Sequence, residues 1–358
     1  MVLSILDWTI IGCFLAISIF IGLKLTGKAS KSMGDFFLGG RKMPWYIAGI
    51  SMVATTFAAD TPLAVTELVA THGVSGNWLW WNMLIGGMLT TFFFAKLWRR
   101  AGILTEVELI SIRYSGKAAK ALRSFKAVYL GLIINVAIIA WVNIAFISIL
   151  EVFFNIPKEQ ALYWVFGISI LIGLYTSLSG LWGVAINDTV QFFLAMIGSV
   201  ALAIFVVNSE EIGGISGLKE KIPESSLSFL PNIGDLNGQT LSVSLASFVA
   251  FIGFQWWASW FPGAEPGGGG YVAQRMMSAR SEKDALWAVL FFQFAHYCLR
   301  PWPWILVALS ALALYPELAA DDKKLGYVYA MKDFLPNGWR GLMIAAFGAA
   351  YMSTISTQ

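Results

Sequence analysis

Apolar stretches of about twenty residues recur along most of this chain, each long enough to cross roughly 30 Å of hydrocarbon. That repetition leaves few architectures. A segment in lipid must satisfy its own backbone hydrogen bonds, so it is either a helix or part of a closed barrel. A barrel would show segments of about ten residues with alternating polarity, and the sequence has none. Only 13% of the 358 residues are charged, against about a quarter in a soluble domain. The expected fold class is therefore an all-α polytopic membrane protein.

Nine spans are predicted, at roughly 4–25, 46–71, 77–97, 122–154, 160–178, 186–208, 239–262, 285–315 and 338–358. The first apolar run, "DWTIIGCFLAISIFIGL", has no basic residue before it and Lys24, Lys28 and Lys31 after it. A secretory signal has the opposite order of charge, so this run reads as a retained helix with its N-terminus outside. The loop cations then sort by side. Sixteen fall on the cytoplasmic side, from Lys24 through Arg41, Arg99, Arg123 and Arg275 to Lys283, and seven fall outside. Positive-inside insertion expects that bias. Cys13 and Cys298 sit in apolar segments and are too few for a disulfide framework. No soluble domain, nucleotide-binding glycine loop or feature for nucleic acid is visible. The closing run, "AAFGAAYMSTISTQ", has no loop or cap after it, as expected of a fragment of a longer protein.

The stretch "SMVATTFAADTPLAV" (51–65) concentrates polar residues inside the second span. Pro62 removes a backbone donor, clashes with the preceding turn and disfavours α geometry at Thr61. Carbonyls released around Ala54 to Ala58 then need partners, and lipid offers none. Interrupted helices in transporters use such carbonyls to hold cations at mid-membrane. A hard ion such as sodium takes several oxygen ligands of this kind. A proline kink with back-bonded hydroxyls is the plainer alternative. Asp60 argues for the binding site, because an ionised residue at mid-span costs at least about 2.5–3.5 kcal/mol. The last span offers a second group: Ala350, Ser353 and Thr354 share one helix face.

Further stretches carry a resemblance. "FFLGGRKMPW" (36–45) with "GISMVATTFAAD", "TEVELISIRYSGKAAKALRS" (105–124), "LYTSLSGLWGVAINDTVQ" (174–191), "YVAQRMMSARSEKDAL" (271–286) and "AAYMSTIST" occur in order. Together they resemble the sodium:solute symporter family, which carries sugars, proline, pantothenate, sialic acid and similar solutes. The resemblance implies a leucine-transporter-type inverted repeat within a single transmembrane domain covering 1–358. One extra N-terminal helix and loop (1–45) would precede a first five-helix repeat (46–208), and 239–358 would be an incomplete second repeat. It implies a sodium site made by the carbonyls of Ala54, Phe57 and Ala350 and the hydroxyls of Ser353 and Thr354. Asp60 and Thr61 then fall near the sodium and solute sites, and Asp188 near the sodium exit route. Asp188 with Gln191 also reads as a capping box for the sixth helix, and both roles stand open.

The run "FQWWASWFPGAEPGGGGYVAQR" departs from the family pattern by its Pro- and Gly-rich insertion at 266–270. Gln255, Trp256 and Trp257 there, and Asn135 in span four, are further solute candidates. His296 and Arg300 are costly in lipid and must face protein.

The reading is sodium-coupled symport of a small organic solute (sugar, amino acid or carboxylate type) across the cell (inner) membrane. Sodium is the coupling ion, and no cofactor or catalytic residue is expected. A proton-coupled symporter and a membrane sensor of the same fold are the alternatives. An enzyme would need clustered catalytic groups, and His72 and His296 lie far apart in the sequence.

Overall fold

Among the described residues the apolar stretches are built of helices, as hydrocarbon demands. The computed structural model describes residues 3–29, 31–232, 241–256 and 270–358. Among them the principal helices are α1 (Ile5–Ala29), α2 (Trp45–Thr55), α3 (Thr61–His72), α4 (78–100), α5 (Gly116–Phe154), α6 (Lys158–Val207), α7 (Leu245–Gln255), α8 (Gly270–Ser278), α9 (Glu282–Leu314), α10 (Gly326–Phe334) and α11 (Trp339–Thr357). One isolated parallel bridge joins Met43 to Ala279 among the described residues. Ile5–Gly27, Gly116–Phe154, Thr176–Val207 and Glu282–Leu314 are each long and apolar enough to cross a membrane alone.

The second apolar stretch is two helices. α2 ends at Thr55, residues 56–60 are non-helical, and α3 starts at Thr61 with Pro62 in its first turn. A proline is tolerated there because its missing N–H would have had no intrahelical partner. The two halves also pack differently. Ile50, Met52, Val53 and Ala54 of α2 belong to a buried cluster with α8 and the start of α9. Phe57, Leu63, Val65 and Val69 join a separate cluster with α5, α6, α10 and α11. The break is thus the boundary between two packed bodies.

Three sequence expectations change. The fifth and sixth spans form one run, interrupted at Gly180 (φ 57, ψ −172) rather than by a loop at 179–185. That conformation is essentially restricted to glycine. The presumed loop 316–337 contains α10, whose Tyr327, Val328, Ala330 and Met331 are buried. Arg275, counted with the cytoplasmic loop cations, is 1% exposed. α11 is rich in small residues because it is wrapped by protein: α1, α2 and α6 pack on it, and Ala345, Ala346, Ala349 and Ala350 allow the close approach.

Candidate functional site

The turn that ends α2 is crowded with oxygen. The Phe57 N–H bonds to the Val53 and Ala54 carbonyls at 3.0 and 2.9 Å. The Thr61 hydroxyl reaches back to the Thr56 carbonyl at 3.1 Å. Across the helix interface, the Thr354 hydroxyl donates to the Thr55 carbonyl at 3.1 Å, sharing its proton with Ala350 O at 3.2 Å. α11 therefore lays one of its hydroxyls directly on the break. Ala54 and Phe57 flank Thr55 in the same turn.

Ser353 faces a second group. Its hydroxyl donates to Asp188 Oδ1 at 2.6 Å, and Ser51 donates to Asp188 Oδ2 at 2.6 Å. Arg275 completes the knot. Its Nη2 lies 3.8 Å from Asp188 Oδ2 and 3.1 Å from the Thr357 hydroxyl, and its Nε donates to Ser51 at 3.1 Å. Asp188 and Arg275 are both 1% exposed, so each must be compensated by protein. This corrects the capping-box alternative. With α6 interrupted at Gly180, Asp188 lies two turns inside the following helical segment and is bonded to α2 and α11.

Beside the break lies a cavity of about 450 Å³, within the usual range of about 300–1,000 Å³ for small-molecule sites. Its polar groups include Asp60, Thr61, Gln293 and His296, and its ring faces include Trp80, Trp141 and Tyr297. Asp60 occupies the position before α3 without capping it. Trp141 donates a side-chain hydrogen bond to its carboxylate, while Oδ1 is buried with no partner. An orphaned buried acceptor costs about 1–3 kcal/mol, which marks it as waiting for a donor. His296 Nδ1 is 3.0 Å from the Thr56 hydroxyl. Gly87 admits Gln293: a Cβ at Gly87 would sit 2.1 Å from Gln293 Oε1.

The sequence candidates divide accordingly. Asp60, Thr61 and Thr354 line the cavity, and Ser353 and Asp188 lie in the polar knot behind it. Asn135 does not line the cavity; its amide donates to the Gln358 carbonyl at 2.8 Å. Gln255 and Trp256 also lie off it: α7 contributes none of the described lining. Trp257 and the 266–270 insertion lie largely outside the described residues. Trp80, Gln293 and Tyr297 were not singled out from the sequence, and no local pattern marks them; Ser51 and Arg275 stand within the quoted stretches 51–65 and 271–286 but were given no role in the site. Among the described residues no group of three His, Cys, Asp or Glu could hold a metal ion. The oxygens at the break are instead carbonyls and hydroxyls.

A model of the sodium:solute symporter family matches residues 36–358. The chain belongs to that family. Among curated symporter relatives, the sodium/glucose cotransporter of Vibrio parahaemolyticus is 24% identical over 99% of this chain and 67% of its own length. Sodium/glucose cotransporter 2 of Rattus norvegicus is 22% identical over 98% of this chain and 56% of its own. The chain thus spans between about half and two thirds of those relatives. A solved sodium-coupled sialic acid symporter, substrate-bound and outward-open with a novel sodium site, superposes with a TM-score of 0.76 at 19% identity. The match covers 99% of this chain and 71% of that one. The fold is the leucine-transporter type, and the chain is that of a multi-pass membrane protein.

Proposed function

We propose that this symporter-family chain carries a small polyhydroxy solute, of the sugar type, together with sodium by alternating access. The observation that carries the reading is the Thr354 hydroxyl seated on the Thr55 carbonyl, at the one turn where the second apolar stretch is not helical. Sodium held by the carbonyls of Ala54, Phe57 and Ala350 and the hydroxyls of Ser353 and Thr354 would tie α11 to the break. Each hydroxyl would coordinate the ion through an oxygen lone pair, so Ser353 can keep its proton on Asp188 while it does so. Sodium and solute would then stabilise the same arrangement of the two packed bodies, so each raises the other's affinity.

The cavity supports the solute class. An unpartnered carboxylate oxygen suits hydroxyl donors, and Trp80 and Trp141 offer faces to a sugar's C–H surface. Asp60 repels a carboxylate solute. The relatives named for glucose agree with this choice. Residues 46–208 would form the first repeat and 239–358 the start of the second. The loop cations support an N-terminus outside, and the membrane assigned is the cell (inner) membrane. The Asp60 carboxylate also makes a proton a candidate driver.

Uptake of radiolabelled glucose, galactose, sialic acid and proline into proteoliposomes tests the reading. A sodium gradient should accelerate uptake of a sugar, and the Ser353→Ala/Thr354→Ala variant should lose that acceleration. Uptake driven by a proton gradient and indifferent to sodium would overturn the sodium assignment.

A further inference from the structure

Arg300 is fully buried, at 0% exposure, yet its surroundings differ from those of an ordinary buried arginine. Its Nη1 donates to the Val53 carbonyl at 2.8 Å and to the Thr56 hydroxyl at 3.0 Å. Its Nη2 donates to the Thr56 carbonyl at 3.1 Å. The guanidinium carbon lies 5.1 Å from the centre of the Trp304 ring and 5.5 Å from that of Phe57. Among the described residues no carboxylate forms an ion pair with it. Backbone carbonyls, a hydroxyl and π faces are what a protein offers to a bound cation.

Hydrogen-bond satisfaction of the backbone does not require this side chain. The Val53 carbonyl already accepts the Phe57 N–H, and the Thr56 carbonyl already accepts the Thr61 hydroxyl. What Arg300 adds is positive charge at the C-terminal, negative end of the α2 dipole. Local sequence delivers it there. The Arg300 N–H bonds five residues back to Ala295 at 3.0 Å, and Pro301 follows with no N–H to continue a regular turn. Such a widened turn is a recurrent device at functional sites. Val53 and Thr56, three residues apart, share one face of the turn; Thr55, bonded to α11, points to another.

We infer that Arg300 is a tethered cation: its guanidinium fills a cation site on the α9 face of the helix break, which is therefore closed to an exchangeable ion. The break then has one face for a transported ion and one with a permanent charge. The inference does not depend on sodium binding at α11, because its ligand set belongs to Arg300 alone. Through the shared Thr56 hydroxyl, the fixed charge also orients His296 at the cavity wall.

Thermal unfolding of the purified protein tests this, in the Ser353→Ala/Thr354→Ala background that removes the α11 hydroxyls. Arg300→Lys should keep most of the melting temperature, whereas Arg300→Met, apolar and of similar length, should lose several degrees. Low-millimolar guanidinium chloride, with choline chloride as the ionic-strength control, should raise the melting temperature of Arg300→Ala by several degrees and leave the parent unchanged. Arg300→Met as stable as Arg300→Lys would overturn the inference, as would a folded Arg300→Ala that ignores guanidinium. If Arg300→Ala does not fold, the Lys–Met difference decides alone. Absence of sodium-driven uptake by the parent protein, with guanidinium recovery of Arg300→Ala intact, would sink the transport reading and leave this one standing.

Discussion

Two arginines lie wholly inside the bundle, and their charges are compensated in different ways. Arg275 stands against a carboxylate, Asp188, and three hydroxyls contributed by α2 and α11. Arg300 stands against carbonyls, one hydroxyl and aromatic faces. The difference lies in what can compete. Hydroxyls rotate and a carboxylate accepts another cation, so the Arg275 network can be rearranged by an ion arriving at Ser353. The carbonyl cage around Arg300 is part of the helix break itself, and its cation is covalently attached. Side by side, the two sites separate the part of the break that exchanges from the part that stays constant.

The largest expected effect follows from the carboxylate. Asp188→Ala would leave Arg275 buried without its counter-charge and should destabilise the protein by about 3–5 kcal/mol. The double variant Asp188→Leu/Arg275→Met removes both charges and should recover most of that loss. By contrast, Asp60→Asn near Arg300 breaks no ion pair, so it should cost no more than about 1.5 kcal/mol, the scale of one hydrogen bond. Unfolding midpoints of the four proteins check this. Asp60→Asn as damaging as Asp188→Ala would erase the distinction between the two arginines.

How much of this the sequence disclosed depends on how local the cause is. Pro62 and Asp60 lie within three residues of each other and announce a broken helix, because each is costly at that place whatever surrounds it. The shared face of Ala350, Ser353 and Thr354 was legible because helical spacing alone sets it. The interruption near Gly180 was legible in place but not in form: a loop was expected at 179–185, and a single glycine turns the run without one. Arg275 was misread because its burial is decided by Asp188, on a different helix, and nothing beside it in the sequence records that pairing. The cavity walls followed the same rule. Asp60 and Thr61 were found through their local cost, while Trp80, Gln293 and Tyr297 meet only after folding. Gln255 and Trp256 looked suitable by residue type and lie elsewhere.

A further buried charge sharpens the comparison from the anionic side. Asp7 of α1 is 0% exposed and accepts the Gly338 and Gly341 N–H groups at 2.7 Å each. α11 has no side-chain cap of its own, so Asp7 caps it from another helix. Like Arg300, it is compensated by backbone dipoles. Asp7→Ala should therefore cost about 1–3 kcal/mol, the penalty for stranding buried donors. It should also speed hydrogen exchange at residues 338–342 ahead of the rest of α11. Gly341 is committed to this contact, because a Cβ there would sit 2.5 Å from Asp7 Cα. Uniform loss of protection along α11 would show that Asp7 acts through α1 packing and not as a cap.

The smallest effect belongs to a site where charge is avoided rather than compensated. His72 ends α3, where a helix dipole would favour a cation. Lys323 already holds that end, donating to the Ala70 carbonyl at 3.0 Å. Partial burial, and then the Lys323 ammonium, hold the imidazole below its ordinary pKa. The unfolded chain therefore binds the proton more readily than the folded one. Stability from neutral His72 is fully present above the unfolded value of about 6.5 and is lost as pH falls below it. Melting temperature measured from pH 7.5 down to 5.5 should fall more steeply for the parent than for His72→Gln. Parallel curves would mean that His72 accepts its proton at no cost, and that Lys323 leaves room for a second cation at the same helix end.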